Sequence, residues 1–123
     1  MITHNREILI YYNPDSRSDR MTIVYAQSVV GHVTPYPFGK TPSTPTSWQH
    51  ILNALEMHPK ELLNKAHPFY QTNIRGREFD DEGWLNIIRF NPQLIKAPIA
   101  MRGNRAVLCC TPTDIYRLVE VYA

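Results

Sequence analysis

The chain has 123 residues and a mass of 14.3 kDa, the size of one domain. Its hydrophobic content of 43% suits a packed core. A formal charge of +2, with Lys and Arg scattered among 11 acids, forms no basic stripe and argues against nucleic-acid binding. The apolar runs fall well short of the ~20 residues of a membrane span, and the first seven residues lack the apolar core of a signal peptide, so a cytoplasmic protein is expected.

Residues 7–12, EILIYY, read as a strand that Asn13-Pro14-Asp15 breaks. Ser16 followed by Asp19 three residues later is a capping box for the next helix, Arg17 to Val30. Its Ile23, Ala26, Val29 and Val30 point inward, and Gly31 ends it. This loop therefore meets a helix N-terminus, where open N–H groups and the helix dipole favour anions. Residues 32–38 form a second strand whose Pro35 and Pro37 place it at a sheet edge.

A loop from Gly39 to Pro45 leads to a helix capped by Thr46 or Ser47, with Trp48, Ile51, Leu52 and Leu55 inward, stopped by His58-Pro59. A short helix is expected over Lys60 to Ala66, burying Leu62 and Leu63 and closed by Pro68. Tyr70 to Glu78 reads as an exposed connection, and its Arg75-Gly76-Arg77 as a solvated loop. Asp80 and Asp81 open a helix that carries Trp84, Leu85, Ile87 and Ile88 to Asn91-Pro92. Trp48 and Trp84 are packing residues on this spacing.

Two strands, Pro98 to Arg102 and Arg105 to Thr111, flank the turn dipeptide Gly103-Asn104. Thr111-Pro112-Thr113-Asp114 then caps a last helix with Ile115, Leu118, Val119 and Tyr122 inside. The order predicts an α/β protein with one mixed four-stranded sheet, a βαβ unit joined to a ββα unit. Cys109 and Cys110 are adjacent, which suits neither a CxxC pair nor zinc, and buried free thiols are expected. His4, His32, His50, His58 and His67 lack metal-ligand spacing and read as surface or helix-end residues.

Asn-Pro after the first strand, the segment Asn91 to Ala100 (NPQLIKAPIA) and the Thr-Pro-Thr-Asp helix start together resemble the arsenate reductase and Spx family of thioredoxin-like proteins. The resemblance covers nearly the whole chain. It implies a single thioredoxin-like domain over 1–123, with a helical insertion at about 46–91. The family's first loop reads Asn-Pro-x-Cys-x-x-Ser-Arg, and Asn13 to Arg20 match it with Ser16 in the place of the nucleophilic cysteine. A thiolate works at a helix end because its pKa of ~8.5 is lowered toward neutrality, whereas an alcohol needs an adjacent base. Asp15 and Asp19 are near, but neither is an obvious base.

By the same resemblance, the family's anion-binding arginines fall on Ala97, on Thr111 and near Asn64, beside Lys65; Arg20 alone is retained. Pro98 is expected to be cis, and Ala97 to offer its backbone to a thiol peptide such as glutathione. The resemblance thus implies a catalytically silent member that binds a partner protein, a small thiol or an anion. Its expected binding residues are Asn13, Ser16, Arg17, Ser18, Arg20, Ala97 and Pro98, with no metal and no resident cofactor. The alternative is a weak glutathione-dependent oxidoreductase using a ligand thiol, Cys109 or Cys110. Contact with RNA polymerase would follow from Spx, although Spx relatives carry a CxxC switch that this loop lacks.

Overall fold

The computed structural model describes residues 6–120. Alternation of apolar side chains in β1 (Glu7–Tyr12) gives the sheet two buried faces. Ile8 and Ile10 point to one face, Leu9 and Tyr11 to the other. β2 (His32–Pro37) pairs parallel to β1, while β3 (Ile99–Arg102) runs antiparallel to β1 and to β4 (Arg105–Leu108). The spatial order is β2-β1-β3-β4, so β2 is an edge strand as its prolines require.

Helices cover both faces. On one, α1 (Arg17–Val29) and the C-terminal α5 (Tyr116–Glu120), with the turn before it, pack Ile23, Ala26, Ile115 and Leu118 over Ile8, Ile10, Ala100 and Val107. On the other, α2 (Pro45–Leu55), α3 (Pro68–Asn73) and α4 (Asp81–Phe90) bury Trp48, Ile51, Tyr70, Trp84 and Ile88 against Tyr11, Ile99 and Met101. The connection between β2 and β3 is therefore largely helical over 45–90. Both tryptophans are core residues, and Trp48 Nε1 donates to the Pro42 carbonyl at 2.6 Å. No helix among the described residues is long and apolar enough to cross a membrane.

Several boundaries differ from the sequence expectation, each for a local reason. α1 stops at Val29, which is exposed, and Thr22 takes a place on the buried face. The chain leaves the helix through an extended Val30, so Gly31 supplies no left-handed cap. β2 ends at Pro37 because Phe38–Lys40 turns into 3-10 geometry. α2 is capped by Thr44, not Thr46 or Ser47: with Pro45 at the first helical position, the Thr44 hydroxyl accepts from Ser47 N–H at 3.3 Å.

The helix expected over 60–66 is one 3-10 turn, Pro59–Leu62. Beyond it the backbone is claimed by residues 94–96: Asn64 N–H donates to the Leu94 carbonyl at 2.6 Å, and Lys96 N–H to that of Leu62 at 2.8 Å. Leu63 and Ile95 form an isolated antiparallel bridge there. Pro68 opens α3 instead of closing a helix, since His67 caps it through Nδ1, which accepts Phe69 N–H. Tyr70 and Ile74 are consequently buried, and the segment expected to be an exposed connection starts as a helix.

β4 ends at Leu108, where Cys109 N–H turns to the Pro98 carbonyl at 2.8 Å. The last helix begins as a 3-10 turn, Pro112–Ile115, and Tyr122 lies outside the described residues, as does His4. Cys109 is buried as expected, whereas Cys110 is exposed because it already belongs to the turn after the strand. The Ala97–Pro98 peptide is trans, since there is no cis bond among the described residues. The cis expectation came from resemblance alone, and trans is the default state of X–Pro.

Candidate functional site

The loop after β1 is built by Ser16, whose extended backbone lets its hydroxyl cap α1 by accepting Asp19 N–H at 3.2 Å. The same hydroxyl donates to Asp19 Oδ1 at 3.1 Å. Asp19 Oδ2 reaches back over the turn and accepts Asn13 N–H at 2.8 Å. Within the turn, Asp15 N–H donates to Asn13 Oδ1 at 3.0 Å and Ser16 N–H to the Asn13 carbonyl at 3.1 Å. The amides of Asn13, Asp15, Ser16 and Asp19 are thus all spent on acceptors inside the loop. Asp19 supplies the negative charge that an open helix N-terminus would otherwise draw from a ligand.

Asp19 is only 7% exposed. Burial raises its pKa, and the hydrogen bonds from Asn13 N–H and the Ser16 hydroxyl oppose that rise by favouring the carboxylate. Sequence reasoning treated Asp19 as a capping residue and missed it as part of the site. The signal was present in the loop itself, where the family pattern places a neutral serine at this position.

The loop forms one wall of a cleft of about 560 Å³. Asn13, Pro14, Asp15, Ser16 and Asp19 face Pro37, Phe38 and Gly39 across it, and Asn64, His67, Gln93, Ile95 and Lys96 extend the lining. Of the expected binding residues, Asn13 and Ser16 line the cleft; Arg17, Ser18, Arg20, Ala97 and Pro98 do not. Arg17 and Ser18 are exposed on the helix. Arg20 folds back, and its Nη1 donates to the Pro14 carbonyl at 2.8 Å, so it braces the loop. Ala97 and Pro98 are buried. Thr111 is exposed and caps the turn before α5, away from the cleft.

The chemistry open to this arrangement is narrow. Ser16 has a carboxylate neighbour, but an alcohol is a far weaker acid than a carboxylic acid, so the shared proton stays on the hydroxyl. His67 lines the cleft, and its Nδ1 is occupied by Phe69 N–H in capping α3. Neither cysteine lines the cleft. Cys109 sits in the core, where burial pushes its thiol up to about 12, with the Asp114 charge adding to the effect. Among the described residues no three His, Cys, Asp or Glu side chains are grouped to hold a metal ion.

Comparison with known proteins is consistent with this frame. A Yersinia pestis protein provisionally named as an arsenate reductase superposes with a TM-score of 0.74 at 24% identity, covering 92% of this chain and 98% of that one. An arsenate reductase from Vibrio cholerae gives 0.75 at 18% identity, covering 94% and 97%. An arsenate reductase related protein from Brucella melitensis gives 0.67 at 14%, covering 90% and 92%. At such identities the likeness is one of fold, the thioredoxin-like fold of these proteins. Comparison with curated proteins finds no sequence match. The ArsC family model matches residues 11–118, nearly the whole described structure, and the chain therefore belongs to the ArsC family.

Proposed function

We propose that this protein is a catalytically silent ArsC-family member that works by binding, holding a small thiol such as glutathione or a peptide segment of a partner protein in the cleft beside Ser16. The observation that carries this is the closed hydrogen-bond ring of Asn13, Ser16 and Asp19 at the start of α1. Reduction of an oxyanion by this fold needs a sulfur that gives up an electron pair and ends in a disulfide, and a serine oxygen cannot do so. It also needs donors for the oxyanion, and here the Asp19 carboxylate occupies two of them, the Asn13 amide and the Ser16 hydroxyl.

What remains suits neutral or peptide-like ligands. Asn13, Asn64 and Gln93 offer paired donors and acceptors, and Pro37, Phe38 and Ile95 offer apolar surface. A polymerase contact of the Spx kind draws no support from this loop, which has no cysteine where that switch has two. A glutathione-dependent enzyme that uses Cys109 or Cys110 draws no support from the cleft, since neither cysteine lines it.

A thiol-coupled assay of arsenate and disulfide reduction tests the proposal. No turnover above a protein-free control is expected. Turnover that Ser16→Ala abolishes would overturn it.

A further inference from the structure

Next to the cleft, and sharing Asn64 and Lys96 with it, lies a second groove of about 530 Å³. Its lining is Met57, Lys60, Glu61, Leu63, Asn64, Lys65 and Lys96, three lysines around one depression. The three backbones are held by separate local devices. Lys60 N–H donates to His58 Nδ1 at 3.1 Å at the start of the 3-10 turn. The Lys65 carbonyl accepts Gln71 Nε2 at 2.5 Å, and Lys96 N–H is tied to the Leu62 carbonyl at 2.8 Å.

The charged ends are not held in the same way. Among the described residues no salt bridge involves Lys60, Lys65 or Lys96; Lys60 Nζ lies 5.1 Å from the Trp84 ring centre. The groove's acid, Glu61, is engaged by His58 N–H, which donates to Oε2 at 2.7 Å. Like charges gathered on a fixed scaffold repel one another, and a polyvalent anion relieves that cost. Lysine meets an anion as a point charge, so a cluster of lysines favours the anion with the higher charge, and a phosphoryl group carries about −1.5 to −2 at neutral pH against −1 for a carboxylate. Met57, partly exposed at the edge of the core, gives an apolar body somewhere to rest.

From this geometry we propose that the Lys60, Lys65 and Lys96 groove binds a phosphoryl group attached to an apolar body, borne by a phosphorylated peptide or by a small phosphate ester. The site is separate from the loop before α1 and does not depend on whether that loop is silent.

The test is a nitrogen-15 amide NMR titration of the full chain at low salt, with inorganic tripolyphosphate, a blocked phosphoserine amide and phenyl phosphate as probes. Saturable shifts at Lys60, Lys65 and Lys96 are expected, weakening as salt rises. Each single Lys→Gln change should weaken tripolyphosphate binding about fivefold, the size of one unit-charge contact in water, and K60Q/K65Q/K96Q about a hundredfold. R75Q/R77Q, a change outside the groove, should leave binding intact. Tighter binding of the phosphoserine amide points to a peptide source and of phenyl phosphate to a small ester; either supports the site. Shifts confined to residues 13–19, no saturation in the millimolar range, or unchanged binding in a triple variant that keeps a dispersed spectrum would each overturn it. Should the triple variant unfold, weakened binding in K65Q and in K96Q singly supports the site, and unchanged binding in both overturns it.

Discussion

Placing sulfur at position 16 should not create a reactive thiol, because Asp19 opposes it. In Ser16→Cys, made with Cys110→Ala to remove the exposed thiol, the new sulfur replaces an oxygen that stands 3.1 Å from Asp19 Oδ1. At a sulfur-to-charge distance of about 4 Å, repulsion between thiolate and carboxylate is ~1 kcal/mol in bulk water and ~4 kcal/mol at an effective dielectric near 20. One pKa unit is about 1.4 kcal/mol, so the carboxylate raises the thiol by ~0.7 to 3 units. The helix N-terminus pulls the other way by about 0.3–1 kcal/mol, and by up to ~2 kcal/mol in favourable geometry. The carboxylate matches or exceeds the helix over most of this range, which leaves the thiol at or above ~8.5. Adding Asp19→Asn should lower it by about 1–3 units. Thiolate absorbance and iodoacetamide rates against pH report both values, and Cys109, held at about 12, stays out of the titration. A thiol that titrates below ~7 with Asp19 in place, or one indifferent to Asp19→Asn, would refute the electrostatic account of this loop.

Ser16→Ala removes the α1 cap and should cost about 0.5–2 kcal/mol in urea unfolding. Burial raises Asp19 above its ordinary 3.8, so its proton is bound more tightly folded than unfolded; its stabilising contribution is full below that ordinary value and is lost as pH rises through the raised one. The unfolding free energy of the wild type relative to Asp19→Asn should therefore fall across that window and level off above it, and a difference that rises with pH would contradict the burial argument. Native protein should take up one iodoacetamide, at Cys110, and a second at Cys109 only on unfolding, as read by mass spectrometry. Glu56 ends α2 at φ 56, a left-handed position that costs a side chain energy, so Glu56→Gly should raise stability by about 0.5–1 kcal/mol in thermal melts.

The elements that sequence reading located correctly are those whose local chemistry and long-range packing agree. β1 is a short apolar run broken by Asn13-Pro14, Ser16 and Asp19 form a cap, and Gly103-Asn104 closes a hairpin, so each element stands where its own residues put it. The failures cluster at 60–78, where local chemistry was ambiguous. Pro68 can follow one helix or begin another, and the choice fell to His67, whose ring nitrogen caps α3. Leu62 and Leu63 suit a helix, yet residues 94–96, some thirty positions away, claim the backbone there. No window of sequence contains that competition.

The candidate site was half visible for the same reason. That Ser16 stands where the resemblance places a cysteine could be read at once from the loop pattern, and Asn13 and Ser16 do line the cleft. Arg20 was matched by position, but its guanidinium turns to Pro14, a direction that only the folded loop fixes. The cleft's far wall draws on residues 37–39, 64, 67, 92, 93, 95 and 96, which fold topology alone brings opposite residue 16. Asp19 could have been suspected from sequence, because an acid inside the first turn of a nominal anion loop conflicts with that use.

The proline pair on β2 has a consequence for how this molecule meets others. Pro35 and Pro37 deny two rungs to any strand that would extend the sheet from that side. Runaway cross-β stacking finds no template there. At that margin, recruitment of another protein must rely more on side-chain complementarity than on backbone pairing.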